Sequence, residues 1–255
     1  MCVYGKKMQI DIDQPTAELL KSKSTRDGLI GGNPTPIPDC FIPTPSSYCV
    51  IGQPGSGKSF FAESFFKKFT KNCWDRVICC CAKNSQGSYK NSYMDSIKGE
   101  NLFDKLTPET LAQMIALCEE TKEEGEAEGE VYDSVIIFDD VSEMFRNKIV
   151  QHMLVKLLQS LRHERVTVLF LAQRYMSIPK PIRVLVNSLI LFKGKNSLVE
   201  MERTRIEHLG NMTRDQQREF FDFIFDGPDN KFSFLMTDRR RERLYKNFSR
   251  VHLRL

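Results

Sequence analysis

The sequence predicts an α/β protein in which helices cover both faces of a central, mainly parallel sheet. Three observations lead to this fold class. Apolar runs alternate with helical stretches along the 255 residues, a glycine-rich octet joins the first run to the first helix, and a later run ends in two aspartates. Because ligands of open α/β sheets bind at the carboxyl ends of the strands, the octet and the aspartates are expected at one edge.

The predicted elements alternate from residue 47 onward. Apolar runs, typical of buried strands, predict strands at 47–52, 75–82, 133–140, 166–173, 187–193 and 231–238. Helical stretches are predicted at 57–70, 107–121, 147–163, 198–209 and 213–225. Thr107 and Pro108 are typical of an N-cap and a first helical turn, so they mark the start of the second helix.

The first 45 residues differ in composition from the rest. Five prolines lie between positions 34 and 45. Prolines this dense resist both helices and central strands. We therefore predict a proline-rich N-terminal arm at 1–45 and a core at 46–255, the core ending in helices, a strand and a basic tail.

Composition indicates an intracellular protein. The chain is 41% hydrophobic and 27% charged, and no apolar run reaches the roughly 18 residues of a membrane span. The N-terminus lacks the apolar segment of a secretory signal. Three consecutive cysteines, 79–81, stand on a predicted strand and are expected to be small buried hydrophobes. No CxxC pair occurs, which argues against structural zinc.

Two segments carry most of the charge asymmetry. Residues 119–130 hold seven glutamates and one lysine, and we expect a solvated loop there. Residues 239–255 hold seven Lys or Arg and one Glu. This basic tail fits a nucleic-acid patch, a charged edge strand or a surface tail equally well, and charge alone leaves the alternatives open.

The glycine-rich octet GQPGSGKS has the spacing of a phosphate-binding loop between a strand and a helix. Glycines let backbone N–H groups close around phosphate oxygens, and the helix start adds partial positive charge. Lys58 would reach the β- and γ-phosphates, and the Ser59 hydroxyl would hold Mg²⁺. The predicted nucleotide-binding residues are Gly52, Gln53, Pro54, Gly55, Ser56, Gly57, Lys58, Ser59 and Phe60.

Asp139 and Asp140 end a buried strand. Adjacent strand residues point to opposite faces, so the two carboxylates can divide two tasks. Asp139 is predicted to hold Mg²⁺ through water, and Asp140 to polarise the water that attacks the phosphate. The alternative is that one of them caps the following helix.

Gln173 ends the strand that follows the acidic strand, where a polar side chain can contact both the γ-phosphate and the attacking water. Its alternative is a buried polar residue bonded to backbone. A P-loop nucleotide kinase or a nucleotide switch that does not act on DNA is the alternative function. The sequence has no NKxD guanine motif, and the acidic segment has the wrong charge for a kinase lid. A non-catalytic nucleotide-binding scaffold is a third class.

Two stretches resemble the genome-packaging ATPases of poxviruses, giant viruses and virophages, a branch of the FtsK/HerA translocases. They are SVIIFDDVSE at 134–143 and LVKLLQSLRHERVTVLFLAQRYMSIPKPIRVLVNSLILF at 154–192. The resemblance covers about residues 46–250. The specific parts of the resemblance are the double aspartate, Leu-Arg-His at 161–163, the strand ending in Ala-Gln, and the stretch from Ile178 to Asn187, with Ile-Pro, then Ile-Arg, then Asn. Leu161, where relatives often carry glycine, departs from the pattern.

The resemblance implies a RecA-like, additional-strand P-loop fold and an ATP-driven motor that packages double-stranded DNA into a preformed capsid. It implies ATP and Mg²⁺ as cofactors, a homo-oligomeric ring of five or six copies, a capsid or portal partner and no membrane. It also implies a location in the host cytoplasm at the viral assembly site, and in the virion.

Such a ring completes each ATP site with an arginine from the neighbouring copy. Arg162 is the first candidate, followed by Arg165 and Arg183; the alternative for Arg162 is a cation facing the helix C-terminus. DNA should be held through its phosphates by Lys and Arg. The two segments that could do this are not separated by the sequence, and their residues are Arg174, Lys180 and Arg183, and Arg239, Arg240 and Arg241.

Overall fold

The structure is a computed structural model that describes residues 8–13, 29–30, 33–34, 45–65, 73–83, 96–193, 198–210, 212–225 and 232–254. The side chains at 29–30, 33–34, 59, 63–64, 198–199 and 201 lie outside that description. The strands are β1 (Gln9–Ile12), β2 (Leu29–Ile30), β3 (Asn33–Pro34), β4 (Ser47–Ile51), β5 (Arg76–Cys81), β6 (Leu102–Phe103), β7 (Ser134–Asp139), β8 (Val166–Ala172), β9 (Ser188–Phe192), β10 (Phe234–Asp238), β11 (Arg243–Lys246) and β12 (Ser249–Arg254).

The helices in the described residues are α1 (Lys58–Ser64), α2 (Pro108–Glu128), α3 (Lys148–Glu164), α4 (Lys180–Arg183), α5 (Leu198–His208) and α6 (Arg214–Phe225). Short 3₁₀ turns lie at Gly99–Asn101, Ser142–Arg146 and Tyr175–Ser177. The six strands predicted from residue 47 onward are confirmed, with ends that differ by at most three residues.

One ten-stranded sheet organises the protein, in the order β1-β12-β11-β10-β9-β4-β8-β7-β5-β6. The six strands from β9 to β6 are parallel to one another. In this part β8 lies between β4, which precedes the phosphate loop, and β7, which carries the aspartates. That extra strand confirms the predicted additional-strand, RecA-like arrangement.

The antiparallel part of the sheet shows what the basic tail forms. β10, β11 and β12 make consecutive antiparallel pairs beyond β9, so the tail is a charged hairpin rather than a loose surface segment. β1 pairs with β12 at the outer edge. Residues Gln9–Ile12 of the predicted arm therefore add a strand that the proline pattern did not predict. The division at residue 46 stays a prediction.

Two apolar layers cover the faces of the sheet. Side chains alternate along each strand, so Cys49 and Ile51 join the layer with α2, α3 and α6, whereas Tyr48 and Val50 join the layer with α1. The consecutive cysteines follow this alternation: Cys80 lies in the first layer, and 79 and 81 lie in the second. All three are free and buried, as expected.

The acidic segment is helical, so the prediction of a solvated loop at 119–130 is wrong. Helix α2 begins at the Thr107 N-cap, whose hydroxyl accepts from the Thr110 backbone N–H at 3.2 Å, and continues to Glu128. Its buried residues keep a helical spacing through the acidic segment: Leu111, Met114, Cys118, Thr121 and Gly125. The last two are small, so an apolar pattern alone does not count them.

Gly125 has a packing role in α2. A Cβ at this position would lie 2.9 Å from Cγ of Tyr132, so the ring packs directly against the helix backbone. The glutamates occupy the exposed side, and the helix ends at Gly129, whose φ of 73° is easy only for glycine. No helix in the described part of the chain is long and apolar enough to cross a bilayer.

Candidate nucleotide site

The strand order assembles the predicted site at the carboxyl edge of the parallel sheet. β8 pairs with β4 through Ile51 and Ala172, and with β7 through Asp139 and Leu171. The backbone N–H of Gly52 donates to the Ala172 carbonyl at 3.1 Å, beyond the last paired residues. The phosphate loop, the aspartates and the end of β8 therefore lie next to one another.

The glycines of the loop are required by its backbone. Gly55 and Gly57 have φ of 77° and 103°, conformations that a side chain would strain. A Cβ on Gly52 would lie 2.2 Å from the Ser56 Oγ and 3.2 Å from the Phe192 Cβ, so a larger residue there would displace the Ser56 side chain. The loop closes with a bond from Ser56 N–H to the Gln53 carbonyl at 3.1 Å. It thus presents backbone rather than side chains at the start of α1.

Lys58 and Asp139 face each other across the site. Both are almost wholly buried, at 9% and 7% exposure. The pKa of Asp139 is raised to about 7, mainly by burial and also by the neighbouring Asp140, while the Lys58 charge opposes the rise. A buried carboxyl with a raised pKa is stabilised in its ionised form by a nearby cation. The predicted partner in Mg²⁺ binding, the Ser59 hydroxyl, lies outside the described side chains.

Asp140 and Gln173 form the outer part of the site. Asp140 has φ of 51°, a left-handed conformation that is uncommon for residues other than glycine, and its N–H donates to the Leu171 carbonyl at 3.2 Å. Its carboxylate accepts a hydrogen bond from Gln173 Nε2 at 3.3 Å. The two side chains predicted to act on water are therefore in direct contact and are not buried. Asp140 does not cap a helix, because α3 is capped by Asn147.

Arg162 lies at the opposite edge of the sheet. It stands in the last turn of α3, just before β8 begins, whereas Gln173 follows the end of β8. The seven residues of β8 separate the two edges by roughly 20 Å. Arg162 is exposed and has no ion-pair partner among the described residues. It cannot reach the phosphate loop of its own chain, but it can face another copy.

The other two candidate arginines are held within the chain. Arg165 donates to the Asp133 carboxylate at 2.8 Å and terminates α3 with φ of 57°. Arg183 is only 5% exposed, pairs with Glu207 at 3.0 Å and donates to the Ile178 carbonyl at 2.7 Å. The candidate roles of Arg183 as a trans arginine and as a DNA contact therefore do not fit the structure, since its guanidinium is buried and occupied.

Arg183 belongs to a partly buried network that the sequence did not predict, formed by Tyr175, Arg183, Glu207, His208 and Arg239. The Tyr175 hydroxyl donates to Glu207 at 2.6 Å and lies 2.9 Å from His208 Nε2, whose Nδ1 lies 3.1 Å from the hydroxyl oxygen of Thr237. Burial and the Arg239 charge lower the pKa of His208 to about 3. A neutral imidazole can satisfy both hydroxyls. Nothing in the linear pattern links Glu207 to Arg183, because their pairing depends on how α5 packs.

The two basic segments meet on one side of the protein. Arg239 donates to the carbonyls of Arg183 and Val184 at 2.9 and 3.2 Å, so its guanidinium holds the two segments together. Arg241 is paired with Asp238. Lys180 and Arg240 are exposed, the latter with a weak bond to the Pro45 carbonyl at 3.5 Å.

Arg174, at the start of the first segment, is 67% exposed and pairs with Glu200 at 3.4 Å. It follows Gln173 at the carboxyl edge, whereas Arg239 donates its N–H to Asn187 O beside the start of β9. Asn187 itself accepts from the Ser46 and Ser47 hydroxyls at 3.1 Å each, which fixes the start of β4 against β9. Arg174 is therefore remote from Arg239–Arg241 and nearer to the phosphate loop.

Comparison with known families gives one match. The family described as poxvirus A32 protein matches residues 41–214, a span that includes the phosphate loop, both aspartates and Gln173. No curated protein sequence matches the chain.

Solved structures share the fold at low identity. The genome packaging NTPase B204 from Sulfolobus turreted icosahedral virus 2, in complex with ATP-gammaS, is 12% identical, with a TM-score of 0.55, over 81% of this chain and 98% of that one. EssC from Geobacillus thermodenitrificans (ATPases 2 and 3) is 13% identical, with a TM-score of 0.50, over 82% of this chain and 39% of that one. EccC, a type VII secretion ATPase from Thermomonospora curvata, is 13% identical, with a TM-score of 0.50, over 80% and 25%.

Proposed function

The chain belongs to the poxvirus A32 protein family, and on that premise we propose that it uses ATP hydrolysis to move double-stranded DNA into a preformed viral capsid. The phosphate loop, the strand order and the family identify a P-loop ATPase. The observation that carries the proposal is the convergence of Lys58, Asp139, Asp140 and Gln173 beside the loop. The B204 protein, which has the same fold, is described as a genome packaging NTPase.

The site residues divide the work of hydrolysis. Lys58 is buried beside the loop, where its ammonium group can offset phosphate charge in a water-poor environment. Asp140 is only partly buried, so its carboxylate can accept a proton from an attacking water. Gln173 donates to that carboxylate and so orients it, while its amide can also contact the water or the γ-phosphate.

Asp139 is the described group that would hold Mg²⁺. It is buried, beside a second carboxylate, with a pKa of about 7, and these properties fit a group that a cation neutralises. When bound with ATP, Mg²⁺ supplies charge neutralisation at the β- and γ-oxygens. The contribution of this chain is to place the Asp139 carboxyl at the end of β7, next to the loop.

A ring of copies supplies what one chain lacks. Arg162 lies at the edge opposite its own phosphate loop, and it is exposed. In a head-to-tail ring, one edge of each copy faces the other edge of the next, so Arg162 can meet the neighbour's triphosphate. An arginine supplied in trans contributes about 10³–10⁵ in rate in enzymes that use one.

DNA is proposed to contact the exposed basic side chains. Arg174, Lys180 and Arg240 are exposed, whereas Arg183 and Arg239 are held by partners inside the chain. Contacts of this kind act on phosphates and carry no sequence information. We further propose that the protein works at the site of viral assembly in the host cytoplasm and contacts a capsid or portal component.

The decisive experiment measures ATP hydrolysis with and without duplex DNA at several salt concentrations. We expect duplex DNA to raise the rate, and the stimulation to fall as salt rises. Lys180→Ala and Arg240→Ala should each reduce the slope of log DNA affinity against log salt concentration by about one unit. The control is Lys148→Ala, which removes an exposed lysine at the start of α3 and should leave this slope unchanged. A rate of ATP hydrolysis that is the same with and without duplex DNA at every salt concentration would contradict the proposed DNA motor and indicate an ATPase of another kind.

The trans role of Arg162 is tested by mixing inactive subunits. Arg162→Ala subunits retain the phosphate loop, and Lys58→Ala subunits retain the arginine. Mixed rings should therefore recover part of the hydrolysis that neither variant has alone. Arg165→Ala serves as the comparison, since Arg165 is already paired with Asp133. Failure of every mixing ratio to recover activity would assign the role to another residue.

A further inference from the structure

A cavity lined by aromatic rings opens beside the phosphate loop. Its volume is about 340 Å³, within the usual range for small-molecule sites. Gly57 of the loop forms part of its wall. A Cβ on Gly57 would lie 3.3 Å from a ring carbon of Phe232 and 3.4 Å from one of Phe192, so both rings pack against the glycine. The cavity is thus continuous with the phosphate loop.

Two exposed rings border this cavity. Among the described residues, the phenylalanines with large exposure are Phe60 and Phe232, at 73% and 57%, and both line it. Single exposed apolar side chains are ordinary, but two aromatic rings at one opening form a patch typical of a binding surface. Phe60 was predicted as a nucleotide-binding residue, and Phe232 was not.

The deeper wall is a packed aromatic cluster. Phe61 and Phe234 are buried with ring centroids 5.4 Å apart, and Phe234 lies 5.2 Å from Phe248. These rings come from α1, β10 and the turn between β11 and β12. The cluster holds the cavity floor in place, so a ligand meets a surface that is already formed.

The cavity lies on the side of the phosphate loop away from the aspartates. β4 has β8 and then β7 on one side, where Gln173 and Asp139 stand, and β9 on the other. β9 ends in Phe192, which lines the cavity. A nucleotide whose γ-phosphate faces the aspartates therefore extends its other end towards β9 and the cavity.

The lining chemistry suits a flat, uncharged ring system. Among the described residues that line the cavity none is ionisable; apart from phenylalanines and Gly57 they are Ser233 and Asn247. The Asn247 Oδ1 already accepts from the Phe234 N–H at 3.1 Å. A carboxylate can distinguish guanine by accepting from its N–H groups, and the described part of the lining contains no carboxylate.

We infer that this cavity binds the purine base of the nucleotide, stacked on Phe60 and Phe232, and that stacking rather than hydrogen bonding holds the base. The inference rests on the proposed function, because it requires a triphosphate in the loop. Stacking tolerates either purine, since each presents a π face. The ATPase should therefore discriminate weakly between ATP and GTP.

Calorimetric titration with two ligands separates the base from the phosphates. ATP carries both, and inorganic tripolyphosphate carries the phosphates alone. Phe232→Ala and Phe60→Ala should each weaken ATP binding about 5- to 100-fold and leave tripolyphosphate binding unchanged. Phe232→Tyr keeps the ring and should bind ATP as the wild type does. Ile149→Ala is the control: it removes an apolar side chain with 60% exposure on α3 and should leave the affinities for ATP and for tripolyphosphate unchanged.

Each other result contradicts the inference. Equal losses for ATP and tripolyphosphate would mean that the rings support the loop instead of the base. No loss in either phenylalanine variant would place the base elsewhere. Wild-type affinities for ATP and GTP that differ more than about 100-fold would show that the base edge is read.

The proposed function fails in a different way. Wild-type protein that binds ATP and tripolyphosphate no better than Lys58→Ala would remove the phosphate site, and the inference with it. Normal Lys58-dependent binding, with unchanged affinity in Phe60→Ala and Phe232→Ala, would remove the inference alone.

Discussion

The nucleotide site and the partly buried network around Arg183 both concentrate charged residues, but they differ in how many bonds those residues make within the chain. At the site, Asp140 has a strained backbone and one side-chain bond, to Gln173 at 3.3 Å. In the network, the Arg183 guanidinium has bonds to Glu207 and to a backbone carbonyl, and its face lies 4.8 Å from the Tyr175 ring centre. Groups that must act on a ligand remain under-bonded, whereas groups that hold helices in place are satisfied.

This difference separates activity from stability. A change at the site should alter turnover while the protein remains folded. A change in the network should alter the free energy of unfolding first. The two regions therefore provide opposite expectations for variants of similar chemistry. Measurements of turnover and of the free energy of unfolding test these expectations.

The largest effect is expected for Asp140→Asn. Asparagine tolerates the left-handed backbone at this position, so the fold should persist. Loss of the proton acceptor should reduce the rate of ATP hydrolysis about 10²–10⁴-fold with ATP affinity retained. Single-turnover hydrolysis and calorimetric titration measure the two quantities. Retained turnover would remove the base role from Asp140.

Lys58→Ala should reduce both ATP binding and hydrolysis, by about 10²–10³ in rate. The side chain is buried beside the loop and opposite Asp139, so its loss removes the main positive charge there. Lys148→Ala is the matched control, because that lysine is exposed at the start of α3. Equal activity in the two variants would contradict the site.

Arg183→Ala should lower the free energy of unfolding by about 3–5 kcal/mol, because it leaves the Glu207 carboxylate, whose side chain is only 12% exposed, without its arginine partner. Arg214→Ala is the control: it breaks a pair with Glu202 in which the two side chains are 90% and 42% exposed, and should change the free energy of unfolding by less than about 1 kcal/mol. Chemical denaturation measures both. Similar stability losses in the two variants would mean that the Arg183–Glu207 pair contributes no more than an exposed pair.

His208 should make the protein sensitive to acid. Its pKa is about 3 in the folded state and 6.5 without the fold, so between these values the unfolded chain binds a proton that the folded chain does not. Its contribution to stability is therefore present above pH 6.5 and lost as the pH falls towards 3. From about pH 6.5 to 5 the loss is about 2 kcal/mol.

Denaturation at several pH values measures this slope. His208→Asn keeps polar atoms between the two hydroxyls but does not titrate, so its stability should fall less steeply with acid. Arg183, Arg239 and Glu207 also face the imidazole, and the pKa of Glu207 is lowered, so that carboxyl stays ionised between pH 6.5 and 5. If the free energy of unfolding of His208→Asn fell with acid as steeply as that of the wild type, groups other than His208 would cause the acid sensitivity.

The smallest effect is expected for Thr107→Ala. The hydroxyl caps α2 by accepting from the Thr110 N–H, and its loss should cost about 1 kcal/mol. Thr213→Ala, at the analogous residue before α6, is the comparison: the Thr213 hydroxyl accepts from the Gln216 N–H at 3.3 Å. Two similar small losses with unchanged hydrolysis would support a purely structural role for both caps.

The local features of this protein follow from its amino-acid sequence alone. The spacing of Gly52, Gly55 and Gly57 reports a backbone that only glycine adopts easily, and the apolar run before Asp139 reports a strand buried on both faces. Strands that alternate with helices can form only a few sheet topologies. The convergence of Lys58, Asp139, Asp140 and Gln173 at one edge of the sheet was therefore predictable. Each of these signals arises from neighbours in the chain.

The long-range contacts between side chains depend on the tertiary structure. Glu207 neutralises Arg183 because α5 packs beside α4, small residues such as Gly125 extend α2 through the acidic segment, and Phe232 meets Gly57 because β10 returns beside β9. Whether an arginine binds a ligand or a neighbouring helix depends on burial and on the partner brought to it, and burial is a property of the packed sheet and helices rather than of the residues adjacent in sequence.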